Sequence, residues 1–299
     1  MLNRNSSRGE RIVGGFRPQI DDEYAKYVVF MLETTGRAKY FGSGNFCGGT
    51  IIAPDYVLTA AHCVDEIAAP DLKSLRIIAG NRRRLRRSKN VQRRRVQQII
   101  IHYKYQAYVG ISKNDIALLK LRSKLNIDNR YRGVAELGLD AYLNGGETCT
   151  AVGWGRMYQH GPKPNHILYV KKKVYQIPYI GNTLFTYSSN VYVRQTCKAD
   201  SGGPLFCRGK VYGVTWAGDR DCARTSTFTS VPHHRQWIEL YIFPPSSNNS
   251  CLCICVRRQR ADEGLSVYCG GATKPAALDS HQMVASPPGR GVTISQKNH

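Results

Sequence analysis

The sequence predicts an all-β chain closed by a single helix, and three observations predict it. Short runs rich in Val, Ile, Tyr and Thr recur at Tyr27 to Leu32, Ile51 to Thr59, Leu75 to Ala79 and Ile116 to Leu121, the composition that fits a pleated, half-buried surface. Gly and Asn punctuate these runs, as turns require. A helical period dominates only after Arg235, so one C-terminal helix is expected. The chain has 299 residues, and all-β domains of roughly 200 to 250 residues commonly fold as one unit, which leaves both ends over. Residues 1–11 read as a short leader, 12–243 as the folded domain, and 244–299 as a tail. That tail is polar, aperiodic and rich in Gly, Ser and Pro, and is expected to be disordered. No apolar stretch is long enough to span a bilayer, and residues 1–11 lack the apolar core of a signal peptide.

Chemistry concentrates in three separated segments. Thr59-Ala60-Ala61-His62-Cys63 carries a histidine, Asn114-Asp115-Ile116-Ala117-Leu118-Leu119 an aspartate, and Cys197-Lys198-Ala199-Asp200-Ser201-Gly202-Gly203-Pro204 a serine set between an aspartate and two glycines. A serine hydroxyl is inert until an imidazole takes its proton and a carboxylate holds that imidazole in the right tautomer, so this set points to nucleophilic acyl transfer. The order His, Asp, Ser also discriminates. α/β-hydrolases run Ser, acid, His around a Gly-x-Ser-x-Gly elbow, which Ala199 would break. Taken singly, Ser201 is a turn residue, His62 a half-buried histidine and Asp115 a cap, but together with Arg11-Ile12-Val13-Gly14-Gly15, Gly153-Trp154-Gly155 and Gln236-Trp237-Ile238 they agree across the chain. From Ile12 to about Phe243 it resembles a chymotrypsin-family, trypsin-like serine protease.

That resemblance implies two packed six-stranded antiparallel β-barrels with a C-terminal helix. It implies Ser201 as nucleophile, His62 as general base and then acid, Asp115 as orienter, and the backbone N–H groups of Ala199 and Ser201 as the oxyanion hole. It also implies activation by a trypsin-like protease cutting after Arg11, which frees an amine on Ile12 to pair with Asp200. No cofactor or metal is implied. Cys47 is expected to bridge Cys63, Cys149 to bridge Cys207, and Cys197 to bridge Cys222, using six of the ten cysteines; three bridges belong to an oxidising compartment and so to a secreted, extracellular protein. A fourth bridge usual in the family lacks both partners. Cys251, Cys253, Cys255 and Cys269 fall in the tail, without the matching second half of a zinc site.

Two departures shape the expected activity. Ala199 stands where the family has glycine, so a methyl group crowds the oxyanion hole or opposes a backbone conformation that glycine adopts cheaply. Gln195 stands where trypsins carry the aspartate that neutralises Arg or Lys, and Ala217 and Ser226 replace wall glycines beside Thr215 and Trp216. A buried cation without a carboxylate is heavily penalised, so the pocket is expected to prefer an uncharged side chain.

Charge is the second pattern. The formal net charge is +22, and the tail from Pro244 contributes six basic residues against three acidic, so about +19 lies in the folded domain with its leader. Nine cations fall between Arg82 and Arg95: Arg82, Arg83, Arg84, Arg86, Arg87, Lys89, Arg93, Arg94 and Arg95. With no Asp or Glu among them calcium is excluded, whereas guanidinium forks suit sulfate and phosphate. A glycosaminoglycan or other polyanion is therefore the expected partner besides a peptide substrate, with Lys171-Lys172-Lys173 extending the patch. A monomer is expected. The rival reading is a catalytically impaired protease-fold protein that binds polyanions or acidic proteins.

Overall fold

The computed structural model describes residues 23–34, 40–67, 72–107, 112–139, 143, 145–176, 182–187, 196–197, 199–218 and 225–244, together with the backbone of 256–260 and 263–268. Two units separate, Met1–Asn249 and Ser250–His299. In the first, β1 (Val28–Glu33), β2 (Asn45–Ala53), β3 (Tyr56–Thr59), β4 (Leu75–Ala79), β5 (Gln92–Ile101) and β6 (Ala117–Leu121) close an antiparallel barrel in the order β1-β2-β3-β6-β5-β4. A second barrel follows from β7 (Glu147–Gly153), β8 (Leu168–Gln176), β9 (Thr183–Tyr187), β10 (Pro204–Cys207), β11 (Lys210–Gly218) and β12 (Thr225–Ser230), in the order β10-β11-β12-β9-β8-β7. The two six-stranded barrels and the helix are those expected.

The strands form where β-branched and large apolar residues recur. Val28 to Leu32 are buried along β1, as are Tyr56 to Thr59 along β3 and Ala117 to Leu119 along β6. One apolar cluster runs from the first barrel into the second. Phe30 of β1 meets Trp154 edge-on at 5.1 Å between ring centroids, and Tyr24 stacks on Phe206 of β10 at 4.3 Å. Such aromatic pairs add about 0.5–1.5 kcal/mol beyond the area they bury, which favours one relative placement of the barrels. Close approach of backbone does the rest: a Cβ on Gly48 would lie 3.2 Å from the Cα of Gly203.

The helix α1 (Val231–Ile242) starts before Arg235, after which alone its period is evident. Pro232 explains the difference, because in the first turn its missing N–H and fixed φ are no handicap. Val231, His234, Trp237 and Ile238 form its buried stripe.

Cys47–Cys63 and Cys149–Cys207 are bonded as expected, with Cα atoms 6.3 and 4.5 Å apart. Cys197 is also disulfide-bonded, while Cys222 lies outside the described residues. In the second unit, β13 (Val256–Arg260) pairs antiparallel with β14 (Glu263–Tyr268), regular structure that the polar, aperiodic composition of the tail did not suggest.

Candidate active site

The site is assembled at the seam by three elements. β3 ends at Thr59, and a single helical turn, Ala61–Cys63, carries His62 outward to a half-buried position. Asp115 lies just before β6 with a fully buried side chain. Its carboxylate takes two hydrogen bonds from His62: Nδ1–H donates to Oδ2 at 2.6 Å and the backbone N–H donates to Oδ1 at 2.9 Å. Binding through Nδ1 leaves the Nε2 lone pair as the available proton acceptor.

Asp115 is itself held by neighbours that the sequence did not flag. The hydroxyl of Thr229 on β12 donates to its carbonyl at 2.9 Å. Asn114, with φ at +51°, donates from Nδ2 to the carbonyl of Lys104 at 2.8 Å and places Oδ1 3.0 Å from Nε2 of His234 on α1. His234 is buried, donates Nδ1–H to the carbonyl of Ser230 at 2.7 Å, and meets His102 edge-on at 4.9 Å. Burial lowers His234 to about 4, against the opposing pull of its bond to Ser230, and lowers His102 to about 3, so both are neutral near pH 7. His234 thus sits beside the residue that precedes Asp115, with His102 packed on its ring.

Ser201 reaches the same seam through backbone bonds. Gly48 N–H donates to the carbonyl of Ser201 at 2.7 Å, Gly202 N–H to that of Thr215 at 2.7 Å, and Thr215 N–H to that of Gly203 at 2.8 Å. Gly202 has φ at +77°, and a Cβ there would fall 2.2 Å from Oγ1 of Thr59, whose hydroxyl donates to Gly48. The serine loop thus packs against the end of β3 from which His62 projects. Among the described residues Ser201 Oγ makes no hydrogen bond to His62, whose Nε2 has Cys63 Sγ at 3.8 Å. Unliganded enzymes often show such loose contacts. That sulfur is bonded to Cys47, so the grouping of Cys47, His62 and Cys63 offers no thiolate to a metal.

Ala199 adopts φ at +77°, the left-handed region expected to favour glycine, which for an L-residue costs on the order of 1–2 kcal/mol. Its N–H and that of Ser201 have no hydrogen-bond acceptor among the described residues. Asp200 beside them is buried, with Oδ1 accepting from Gly155 N–H at 2.6 Å and Oδ2 from Cys197 N–H at 3.0 Å. Desolvation pushes it up to about 6 against the opposing pull of those bonds. Arg11 and Ile12 lie outside the described residues.

The pocket residues are partly visible. Thr215 and Ser226 are buried and Trp216 is half-buried. Ser226 Oγ accepts from Thr196 N–H at 3.2 Å. Gln195 and the side chain of Ala217 lie outside the described residues. Thr215 makes no hydrogen bond to Asp115 among the described residues; the aspartate is held by His62 and Thr229. Beside His62 a cleft of about 300 Å³ opens between Phe46, Ile67 and Leu75, with Asp65 and Glu66 on its wall.

The basic run divides by orientation. Arg84 is buried and donates to the carbonyls of Gly42, Pro164 and Lys163 at 2.8, 2.7 and 2.9 Å, so this member of the expected polyanion patch is a core residue. Lys172 is likewise buried on β8, while Lys171 and Lys173 face outward. Arg94 turns to the carbonyl of Lys124 and to Gln92 Oε1, whereas Arg83, Arg86, Arg87, Lys89, Arg93 and Arg95 are exposed. Arg87 lies over the ring of Phe41, and Arg82 is half-buried.

Two β-barrels with a His–Asp pair and a glycine-flanked serine at their seam define the class of chymotrypsin-like serine proteases. The model of the family described as Trypsin matches residues 12–238, and the chain belongs to that family. Chymase of Mus musculus is 29% identical over 248 residues, covering 80% of this chain and 93% of its own. Among solved structures, human heparin binding protein superposes with a TM-score of 0.65 at 24% identity, covering 80% of this chain and 100% of that one. Neuropsin, a serine protease of mouse brain, gives 0.64 at 23% identity over 76% of this chain and 98% of its own. Among the described residues no helix is long and apolar enough to cross a membrane.

Proposed function

We propose that the chain is a secreted serine endopeptidase that hydrolyses peptide bonds through an acyl-enzyme and is activated by cleavage after Arg11. The observation that carries the reading is the His62–Asp115 pair, with Nδ1 to Oδ2 at 2.6 Å and the opposite face of the imidazole directed out of the core. Ser201 attacks the scissile carbonyl while Nε2 takes its proton. Asp115 stabilises the imidazolium, and the N–H groups of Ala199 and Ser201 receive the negative charge that develops on the carbonyl oxygen. The proton then passes from Nε2 to the leaving amine, and water repeats the sequence on the acyl-enzyme. Gln195 in place of a carboxylate directs the pocket to an uncharged side chain of small or medium size. A trypsin-like protease is the activator, the disulfides support an extracellular setting, and the working unit is a monomer.

A specific observation favours a second reading, in which the chain is a weak catalyst that binds polyanions. Ala199 holds a conformation that costs an L-residue free energy at the oxyanion hole, and the domain carries a large cationic excess. The experiment that separates the two is fluorophosphonate labelling of the full chain before and after cleavage at Arg11. Labelling of Ser201 only after cleavage, absent in Ser201→Ala, is expected. Failure to label in any form, including the Ala199→Gly variant, overturns the endopeptidase reading and leaves the binding protein.

A further inference from the structure

Arg76 on β4 stands directly opposite Arg95 on β5, and Arg93 lies two residues along the same strand, opposite Ile78. Side chains at paired positions and at every second residue share a face, so the three guanidinium groups converge on the outside of the first barrel. They line a shallow, open cleft of about 290 Å³. Arg76 is fixed there because its Nη1 donates to the carbonyls of Lys73 and Leu75. Among the described residues none of the three meets a carboxylate. Burial, then the charges of Arg93 and Arg95, hold the Arg76 guanidinium below its ordinary pKa.

A solvated charge run does not have this form. Like charges directly opposite each other destabilise a sheet, and an ordinary surface relieves them with an acidic neighbour or by letting long side chains diverge. Here the strand register keeps three cations together around an open cleft, so the fold carries a repulsion that a bound anion would remove. The bridges Cys47–Cys63 and Cys149–Cys207 place the chain outside a reducing compartment, where sulfated polysaccharide is a more accessible polyanion than nucleic acid.

We propose that Arg76, Arg93 and Arg95 form an anion site that takes a sulfate ester of a sulfated polysaccharide chain, and that this strand ladder, rather than the loop at 82–89, is the primary polyanion contact. The site rests on the reading that the chain binds polyanions, and it adds Arg76, which lies outside the basic run, while setting aside the buried Arg84. A sulfate group presents three oxygens to three forks, and the glycan leaves along the outer strand surface, where Arg122 is also exposed.

The test uses the full chain and two variants of equal net charge, Arg93→Gln/Arg95→Gln in the ladder and Arg86→Gln/Arg87→Gln in the loop. Binding is measured to heparin, to desulfated heparin and to single-stranded DNA of similar length. The ladder pair is expected to weaken heparin binding at least tenfold at physiological salt and to lower the salt slope by about two, close to one counterion per contact. The loop pair is expected to change affinity less than threefold, and desulfated heparin to bind the parent poorly. Inorganic sulfate, compared with chloride of equal ionic strength, should raise the melting temperature of the parent more than that of the ladder pair, since its general stabilising effect is common to both; at low salt the ladder pair should melt above the parent because its repulsion is gone. Equal losses in the two pairs would show that only net charge matters and overturn the site. Absence of heparin binding by the parent overturns the polyanion reading beneath it. DNA bound as tightly as heparin, with the same dependence on Arg93 and Arg95, overturns the assignment to a sulfated polysaccharide.

Discussion

Gly155 donates its backbone N–H to Oδ1 of Asp200 at 2.6 Å, and there is no room between them for a side chain, since a Cβ on Gly155 would lie 2.1 Å from Oδ2. A buried carboxylate is thereby fixed next to the serine with backbone donors and, among the described residues, no cation. In the proposed mechanism the missing cation is the amine of Ile12, and its arrival is what activation supplies.

Asp200 therefore imposes a pH dependence on the uncleaved chain. Its folded pKa, pushed up to about 6 by desolvation, lies above the unfolded value near 3.8, so the folded state binds more protons in that window. Stability from this group is present below about pH 4 and is lost as pH rises to about 6, on the order of 3 kcal/mol in all. Cleavage after Arg11 should abolish the effect, because an ammonium partner favours the charged carboxylate. Chemical denaturation of cleaved and uncleaved chain between pH 4 and 7 checks this, and identical profiles contradict the proposed pairing. Gly155→Ala should destabilise the fold by about 2 kcal/mol through overpacking and prevent probe labelling after cleavage.

Ala199→Gly should stabilise the protein by about 1 kcal/mol, the strain of a left-handed alanine less the extra freedom of an unfolded glycine. It should also raise kcat on an ester substrate by about tenfold, as relief of crowding at one oxyanion donor warrants. Thermal unfolding and ester hydrolysis report the two effects separately. A gain in stability with no change in kcat would mean that the methyl group stands clear of the reacting carbonyl.

Much of this site was legible in the sequence because its chemistry resides in short runs with a fixed order. His62, Asp115 and Ser201 occupy segments whose neighbours, Thr59 and Gly202 among them, are constrained by the backbone contacts that bring the segments together. The bridges Cys47–Cys63 and Cys149–Cys207 were legible by resemblance. What was not legible depends on side-chain direction. Arg84 and Lys172 sit in basic runs yet turn inward, and the alternation that turns Arg93 and Arg95 outward while Arg94 folds onto Lys124 emerges only once β5 is paired. Arg76 joins them across a strand register, and His234 reaches Asn114 across 120 positions of sequence.

His102 and His234 should make the fold acid-sensitive. Their pKa values, lowered to about 3 and about 4 chiefly by burial, lie below the unfolded value near 6.5, so the unfolded chain binds more protons between these limits. Their contribution is complete above about pH 6.5 and is lost as pH falls toward 4, at up to about 1.4 kcal/mol per pH unit for each histidine. This slope opposes that of Asp200, so Asp200→Asn isolates it. In that background His234→Gln should reduce the slope by close to one proton, and an unchanged slope would show that His234 does not titrate with unfolding.

Arg84 and Arg86, two positions apart in one basic run, should respond very differently to the same substitution. The Arg84 guanidinium donates to three carbonyls, from Gly42, Lys163 and Pro164, and its own carbonyl packs so closely on Gly42 that a Cβ there would lie 1.9 Å away. Arg84→Ser strands buried acceptors and opens a void, at a cost of about 3 kcal/mol from unsatisfied groups alone. Arg86 is exposed, and Arg86→Ser should stay within about 0.5 kcal/mol of the parent. Denaturant midpoints at equal protein concentration measure both. If the two variants unfold together, Arg84 is a surface cation like its neighbours and belongs with the polyanion contacts after all; if only Arg84→Ser is destabilised, weakened heparin binding by that variant reports lost fold and says nothing of a contact.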